Sequence, residues 1–306
     1  MSTGFVLADD PIALPKGAWA ATERRSLRRD GRSVFSITQG QHRAYLFPVY
    51  TPAGFAVTSE CPADHPHHNS LWIASDHIRC WMPVAGGAVE EYTYNLYLDG
   101  TFQGRAAGRI IQTAAESTPN GSEAVQIVQS LDWRGPAEWA APDGRLLARE
   151  KRVLEVRLES GAYTIDVASV VTAANWDLTF GPTRHAYFSV RMAESIAVTG
   201  GGAVIDDRSK HGGEALTGVG PRWVDYSGPV GGGHVAGIAV CPHPEDHKNL
   251  AWFVSNWGVV TVGPFRNTRR DLRVGESMQL RYRVIVHDGD AEQADIAGRL
   301  TPYLAG

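Results

Sequence analysis

The chain has 306 residues, 43% of them hydrophobic and 20% charged, which is ordinary for a globular protein and leaves open one large β domain or two smaller ones. A net charge of −4 and an isoelectric point near 6.3 give no electrostatic reason to expect nucleic acid or an anionic membrane surface as partner. No apolar run approaches the roughly 20 residues a membrane helix needs, residues 1–17 lack the pattern of a signal peptide, and Cys61, Cys80 and Cys241 lack CxxC spacing, so a cytoplasmic protein is expected.

Strand signals dominate the chain in order. Ser33 to Thr38 (SVFSIT), Ala44 to Tyr50 (AYLFPVY) and Phe55 to Ser59 (FAVTS) are short β-rich runs, the last two separated by a TPAG turn. Residues 123–133 and 146–159 follow. From Tyr163 onward, Tyr163, Ile165 and Val167 alternate with Thr164, Asp166 and Ala168, the period of a strand with one buried face. Near the end, Tyr282, Val284 and Val286 alternate with Arg281, Arg283 and Ile285. One helix is predicted, at about 290–305, with Asp290 as its cap, Gln293 at capping-box spacing, and Ile296, Leu300 and Leu304 as its apolar stripe. The glycine-rich stretches carry neither a GxxxxGK[ST] pattern nor a GxGxxG leading into a helix. With no internal repeat and no low-complexity linker, these elements predict an all-β fold, a single large antiparallel β-sandwich over residues 1–306 with a short C-terminal helix.

The stretch CPADHPHHNSLW, Cys61 to Trp72, concentrates three histidines and an aspartate in five positions. Pro66 biases His65 toward an extended conformation. On an extended segment His65 and His67 would point one way, and Asp64 and His68 the other. Imidazoles that titrate near neutrality suit proton transfer. The His65-x-His67 spacing also suits two nitrogen ligands of a divalent metal, with His185, His243 and His247 available to complete it; no HExxH helix is present. A histidine-rich loop satisfied by backbone hydrogen bonds explains the spacing equally well.

Two further segments carry candidate residues. In FGPTRHAYFSVRM, a strand would put His185, Tyr187 and Ser189 on one face and Arg184 on the other. Arg184, His185 and Tyr187 would together suit a polar substrate with hydroxyls or a carbonyl. RWVDYSG and CPHPEDHKNLAWFVSNWG supply Trp223, Asp225, Tyr226, His243 and Trp257. With Trp72, these match the stacking and hydrogen-bonding groups of a sugar site, and they match an ordinary sandwich core as well.

PVYTPAGFAVTSECPADHPHHNSLW resembles the opening motif of a bacterial family labelled methane oxygenase PmoA, whose members carry a DHPHHRGLW-like stretch after a similar run. GEALTGVGPRWVDYSG, GIAVCPHPE, WFVSNWGVVTVGPF and LRYRVIVHDG are similar to later blocks of that family in the same order, so the resemblance covers about 40–290. It implies carbohydrate catabolism, because members occur beside sugar dehydrogenases and proteins that process 3-keto-glycosides. It also implies a β-sandwich of the galactose mutarotase type. TRHAYFSV is similar to a mutarotase strand whose histidine acts as an acid, which implies that role for His185. The chain departs from the pattern at Asn69-Ser70, where the family has Arg-Gly, and around His185, where it more often has a Thr-Lys-Glu-like sequence.

The expected function is proton transfer on a sugar or keto-sugar glycoside, by elimination, hydration, epimerisation or mutarotation. His67 or His68 would be the base, His185 the acid and Arg184 the stabiliser of a developing oxyanion. Asp64, His65, Asn69, Trp72, Tyr187, Trp223, Asp225, Tyr226, His243 and Trp257 would bind substrate. No cofactor is required by this scheme, although a divalent metal on His65 and His67 would take over the polarising role. Two-carboxylate glycoside hydrolysis lacks a pairing signal, since nothing joins Glu90, Glu91 and Glu138. The alternatives are a non-catalytic carbohydrate-binding module and a structural partner subunit. A homo-oligomer is compatible with all three.

Overall fold

The computed structural model describes residues 4–10, 23–246 and 250–306; His247, one of the candidate metal ligands, lies outside them. Two eight-stranded sheets face each other. The first runs Phe5–Asp9, Glu23–Arg29, Arg32–Gln39, Ala44–Val49, Leu71–Ser75, Ala186–Arg191, Val259–Val262 and Phe253–Val254. The second runs Ala203–Asp206, Val224–Gly231, His234–Pro242, Ser277–Asp288, Ala162–Ala173, Leu146–Glu159, Ala124–Arg134 and Arg109–Pro119. A smaller sheet, ordered Arg270–Leu272, Asp177–Phe180, Ile78–Pro83 and Val89–Tyr94, flanks them. The ladders pair antiparallel, as the alternating patterns predict.

The long central strands follow directly from their period. In Ala162–Ala173, Ile165, Val167 and Val171 are buried, while Asp166, Ala168 and Val170 are only partly covered. Ser277–Asp288 lies beside it with Val284 opposite Ile165, so apolar faces align across the ladder. The sheets meet through ring contacts: Phe188 stacks on Tyr282 at 4.4 Å, and Tyr187 on Trp133 at 6.0 Å.

Two elements differ from expectation. Phe55–Ser59 forms only isolated bridges, Ala56 to Tyr50 and Thr58 to Met192, rather than a ladder. The C-terminal helix spans Ile296–Ala305 and is capped by Asp295, which accepts from Gly298 N. Asp290 and Gln293 do exchange the two bonds of a capping box, at 2.8 and 3.0 Å, but these close a turn ahead of the helix. Ile296 and Leu300 are fully buried against Trp223, Cys241 and Ile285, with Leu304 partly buried beside them. Among the described residues, no helix is long and apolar enough to cross a membrane.

Candidate functional site

Leu71–Ser75 and Ala186–Arg191 are adjacent antiparallel strands, with Ser75 opposite Ala186. Asp76 follows the first and His185 precedes the second, so the pairing sets them face to face, and Asp76 N donates to His185 O at 3.1 Å. The side chains repeat the contact: His185 Nδ1 lies 2.9 Å from Asp76 Oδ2. Thr183 Oγ1 donates to the other carboxylate oxygen. His77, at φ 50°, turns the chain toward the small sheet and brings its Nδ1 to 3.0 Å from Asp76, without the alignment of a hydrogen bond.

Asp76 is 1% exposed. Burial pushes its carboxyl up, but the bonds from His185 and Thr183 outweigh this and hold it below the usual range. An ionised Asp76 fixes the proton of neutral His185 on Nδ1. Nε2 is then an acceptor, which Arg184 Nε approaches at 3.3 Å. The His185 side chain is 25% exposed, enough for Nε2 to meet a ligand.

The CPADHPHH stretch is not extended. Pro62 O accepts from His65 N at 3.0 Å and His65 O from His68 N at 2.9 Å, two successive turns with Pro66 at the second position of the latter. The turns draw all three rings together instead of alternating them. His65 stacks on His68 at 4.7 Å and on Trp257 at 4.4 Å, and His67 meets His68 edge-on at 4.5 Å. Burial, reinforced by the Arg43 charge, pushes His67 down to about 4. Burial and then the other two histidines push His68 down to about 2. His68 is 3% exposed and stacks on the buried Trp72, so both belong to the floor beneath the loop.

Two buried arginines hold this loop. Arg43 donates to His67 O at 2.8 Å, to Asn69 Oδ1, to Tyr97 O at 2.7 Å and to Asp99 Oδ1 at 2.5 Å. Arg191 ion-pairs with Asp64 at 3.1 Å and lies over Trp257 at 4.9 Å. The Tyr97 ring joins the halves of the site: it stacks on His185 at 5.1 Å and touches His67 at 5.8 Å.

The structure therefore gathers Asp64, His65, His67, His68, Asn69, Trp72, Arg184, His185 and Trp257 around one region. The other candidates lie elsewhere. Tyr187 is fully buried and bonded to Ser169 Oγ at 2.8 Å. Tyr226 donates to Ser255 O at 2.7 Å in the core, and Asp225 is buried against His287 at 2.8 Å. Trp223 packs under the C-terminal helix. His243 meets Tyr303 edge-on and lines a cavity of about 280 Å3 by that helix. Asp76, Tyr97, Arg43 and Arg191 join the site without having been read from the sequence. Of these only Asp76 had a local signal, an Asp-His pair ending an apolar strand.

Among the described residues, no group of three or more His, Cys, Asp or Glu side chains is arranged to hold a metal ion. His65 Nδ1 is bonded to Asp64 Oδ2 at 2.9 Å, and His65 and His67 meet edge-on at 5.7 Å.

No curated protein matches the chain. Among solved structures it is similar to a galactose mutarotase-like protein from Lactobacillus casei ATCC 334, at 9% identity and TM-score 0.40, over 93% of this chain and 100% of that one. It is similar to the galactosidase domain of an alpha-galactosidase-sucrose kinase at 9% identity and TM-score 0.40, over 88% of this chain and 39% of that one. A polysaccharide lyase follows at 10% identity and TM-score 0.30, over 95% of this chain and 34% of that one. The methane-oxygenase label of the sequence resemblance does not accompany the family match. Residues 25–301 match the model of the family of unknown function DUF6807, and the chain belongs to that family.

Proposed function

We propose that the protein is an enzyme that removes a proton from a carbon of a sugar or oxidised sugar derivative, with His185 Nε2 as the base. The observation that carries this reading is the Asp76–His185 pair, a buried carboxylate bonded at 2.9 Å to a partly exposed imidazole. Asp76 orients the ring, keeps the accepting nitrogen outward and stabilises the imidazolium formed when His185 takes a proton. His185 suits the base better than His67 or His68, because among the described residues neither of those rings is hydrogen-bonded to a carboxylate as His185 is, and His68 is shut beneath the loop.

Arg184 stands beside the accepting nitrogen, where it can meet the oxygen that gains charge as the proton leaves. His67, on the far side of Tyr97, stays neutral at pH 7 and can donate through its N–H to a leaving or ring oxygen. The carbohydrate assignment follows from the kinds of group gathered here: imidazoles, guanidiniums and carboxylates that bond hydroxyls, next to the Trp257 indole.

The test is proton NMR in deuterated water on a panel of 3-keto-glycosides, parent sugars and sugar acids. Deuterium entering at a carbon next to a carbonyl or carboxylate, or loss of a glycosidic group, is expected. No exchange, no product and no anomeric acceleration across the panel would overturn the enzyme reading in favour of a binding module.

A further inference from the structure

The segment holding the base is pressed against the segment Gly263 to Thr268. Thr183 N donates to Phe265 O at 2.7 Å. A Cβ at Gly181, φ 66°, would lie 2.8 Å from that same oxygen, and one at Gly263 would lie 2.6 Å from Tyr187 N. Only glycine permits so close a seam. Arg184 and Arg266 each follow a residue of the hydrogen-bonded pair, so the two guanidiniums leave one seam, Arg184 against His185 and Arg266 close enough to feel the Arg184 charge.

Neither guanidinium has a counter-ion among the described residues. Among the described residues Arg184 bonds only His185, and Arg266 Nη1 is buried with no hydrogen-bond partner. Arg266 borders a cavity of about 440 Å3 shared with Leu250, Asn267 and Thr268. Glu245 and Asp246, also on its wall, are held by Arg281 at 2.7 and 2.8 Å. Burial first, and the Arg184 charge second, press the Arg266 guanidinium down, the response of a cation without an anion. A partly buried guanidinium fork with no partner is matched by a planar anion that accepts two bonds at once.

We propose that Arg184 and Arg266 together bind the carboxylate of an acidic sugar, a uronic acid or a glycoside of one, and so bring the carbon bearing that carboxylate to His185 Nε2. The inference rests on the role of His185 as base given above. Taking a proton from a carbon next to a ketone leaves one negative charge on the enolate, whereas next to a carboxylate it leaves two. Two cations without counter-ions fit the second case. In the step, the C–H bond breaks, the proton goes to Nε2 and the electron pair spreads onto the carboxylate oxygens. Return of a solvent-exchanged proton from Nε2 restores the sugar acid, and protonation of the opposite face by water gives its epimer.

Titration calorimetry tests the site without relying on turnover. The ligands are glucuronate, galacturonate, glucose, galactose and glucose 6-phosphate; the proteins are wild type, Arg184→Gln, Arg266→Gln and His185→Gln. Each uronate is expected to bind about tenfold or more tighter than its neutral sugar, the worth of charge-assisted bonds. Arg266→Gln removes that preference and so does Arg184→Gln, whose exposed position spares the fold. His185→Gln keeps it. Equal binding of neutral and acidic sugars, preference for the phosphate, or a uronate preference that survives either arginine variant would each overturn the proposal. Tight uronate binding without deuterium exchange in the wild type would leave this site standing and remove the base. Exchange into neutral keto-sugars without uronate preference would do the reverse.

Discussion

Asp76 and His185, 109 residues apart, are joined twice, through a backbone bond of 3.1 Å and through a carboxylate–imidazole bond of 2.9 Å. The antiparallel register of Leu71–Ser75 on Ala186–Arg191 imposes both contacts. The pair is thus as rigid as the sheet that carries it, which is what an orienting carboxylate requires.

Asp76→Asn keeps the shape of this pair and removes the charge that stabilises a protonated ring. Proton-transfer rate is expected to fall about a hundredfold or more, with ligand affinity changing far less. Exchange rates and calorimetry on the same variant check the split.

Acid should act on Asp76 directly. Its folded carboxyl titrates below the usual value, so its contribution to stability is complete above about pH 4 and is lost as pH falls through the folded value. Denaturant unfolding between about pH 5 and about pH 2 should show a steeper loss for wild type than for Asp76→Asn.

His67 and His68 have the opposite ordering for a base: both are depressed in the folded state, to about 4 and about 2. The unfolded chain binds these protons first, so stability falls as pH drops below about 6.5, by roughly 1 kcal/mol per pH unit for each. His68→Phe keeps the stack on Trp72 and should flatten this slope in urea titrations. An unchanged slope would contradict the burial of that ring.

Arg43 is 1% exposed and ties His67, Asn69 and Asp99 to the Tyr97 backbone. Arg43→Met leaves those acceptors without their donor, at a cost of about 3–5 kcal/mol. Chemical denaturation measures this, and the variant should also lose sugar binding as the loop loosens.

Tyr226 is bonded within the core, so Tyr226→Phe should lower stability by about 1 kcal/mol and leave exchange activity intact. Loss of activity without loss of stability would return Tyr226 to the site.

The architecture was legible because long strands such as Ala162–Ala173 and Ser277–Asp288 bury one face, and burial writes an alternating pattern into sequence. The histidine loop was legible as a cluster of candidate residues but not in shape, since two turns converge rings that an extended chain would separate. Asp76 was illegible as a partner because its meaning comes from strand register, which no local spacing records. Tyr187, Trp223 and Tyr226 show the converse limit: the aromatic that stacks on a sugar is also the aromatic that fills a sandwich core.

The most direct test of the central claim compares wild type with His185→Gln by NMR in deuterated water, following the hydrogen next to the carbonyl or carboxylate of a substrate that the wild type exchanges. The account predicts rapid deuterium entry in wild type and its loss, by about a hundredfold or more, in the variant while binding persists. Exchange that continues undiminished in His185→Gln would contradict it.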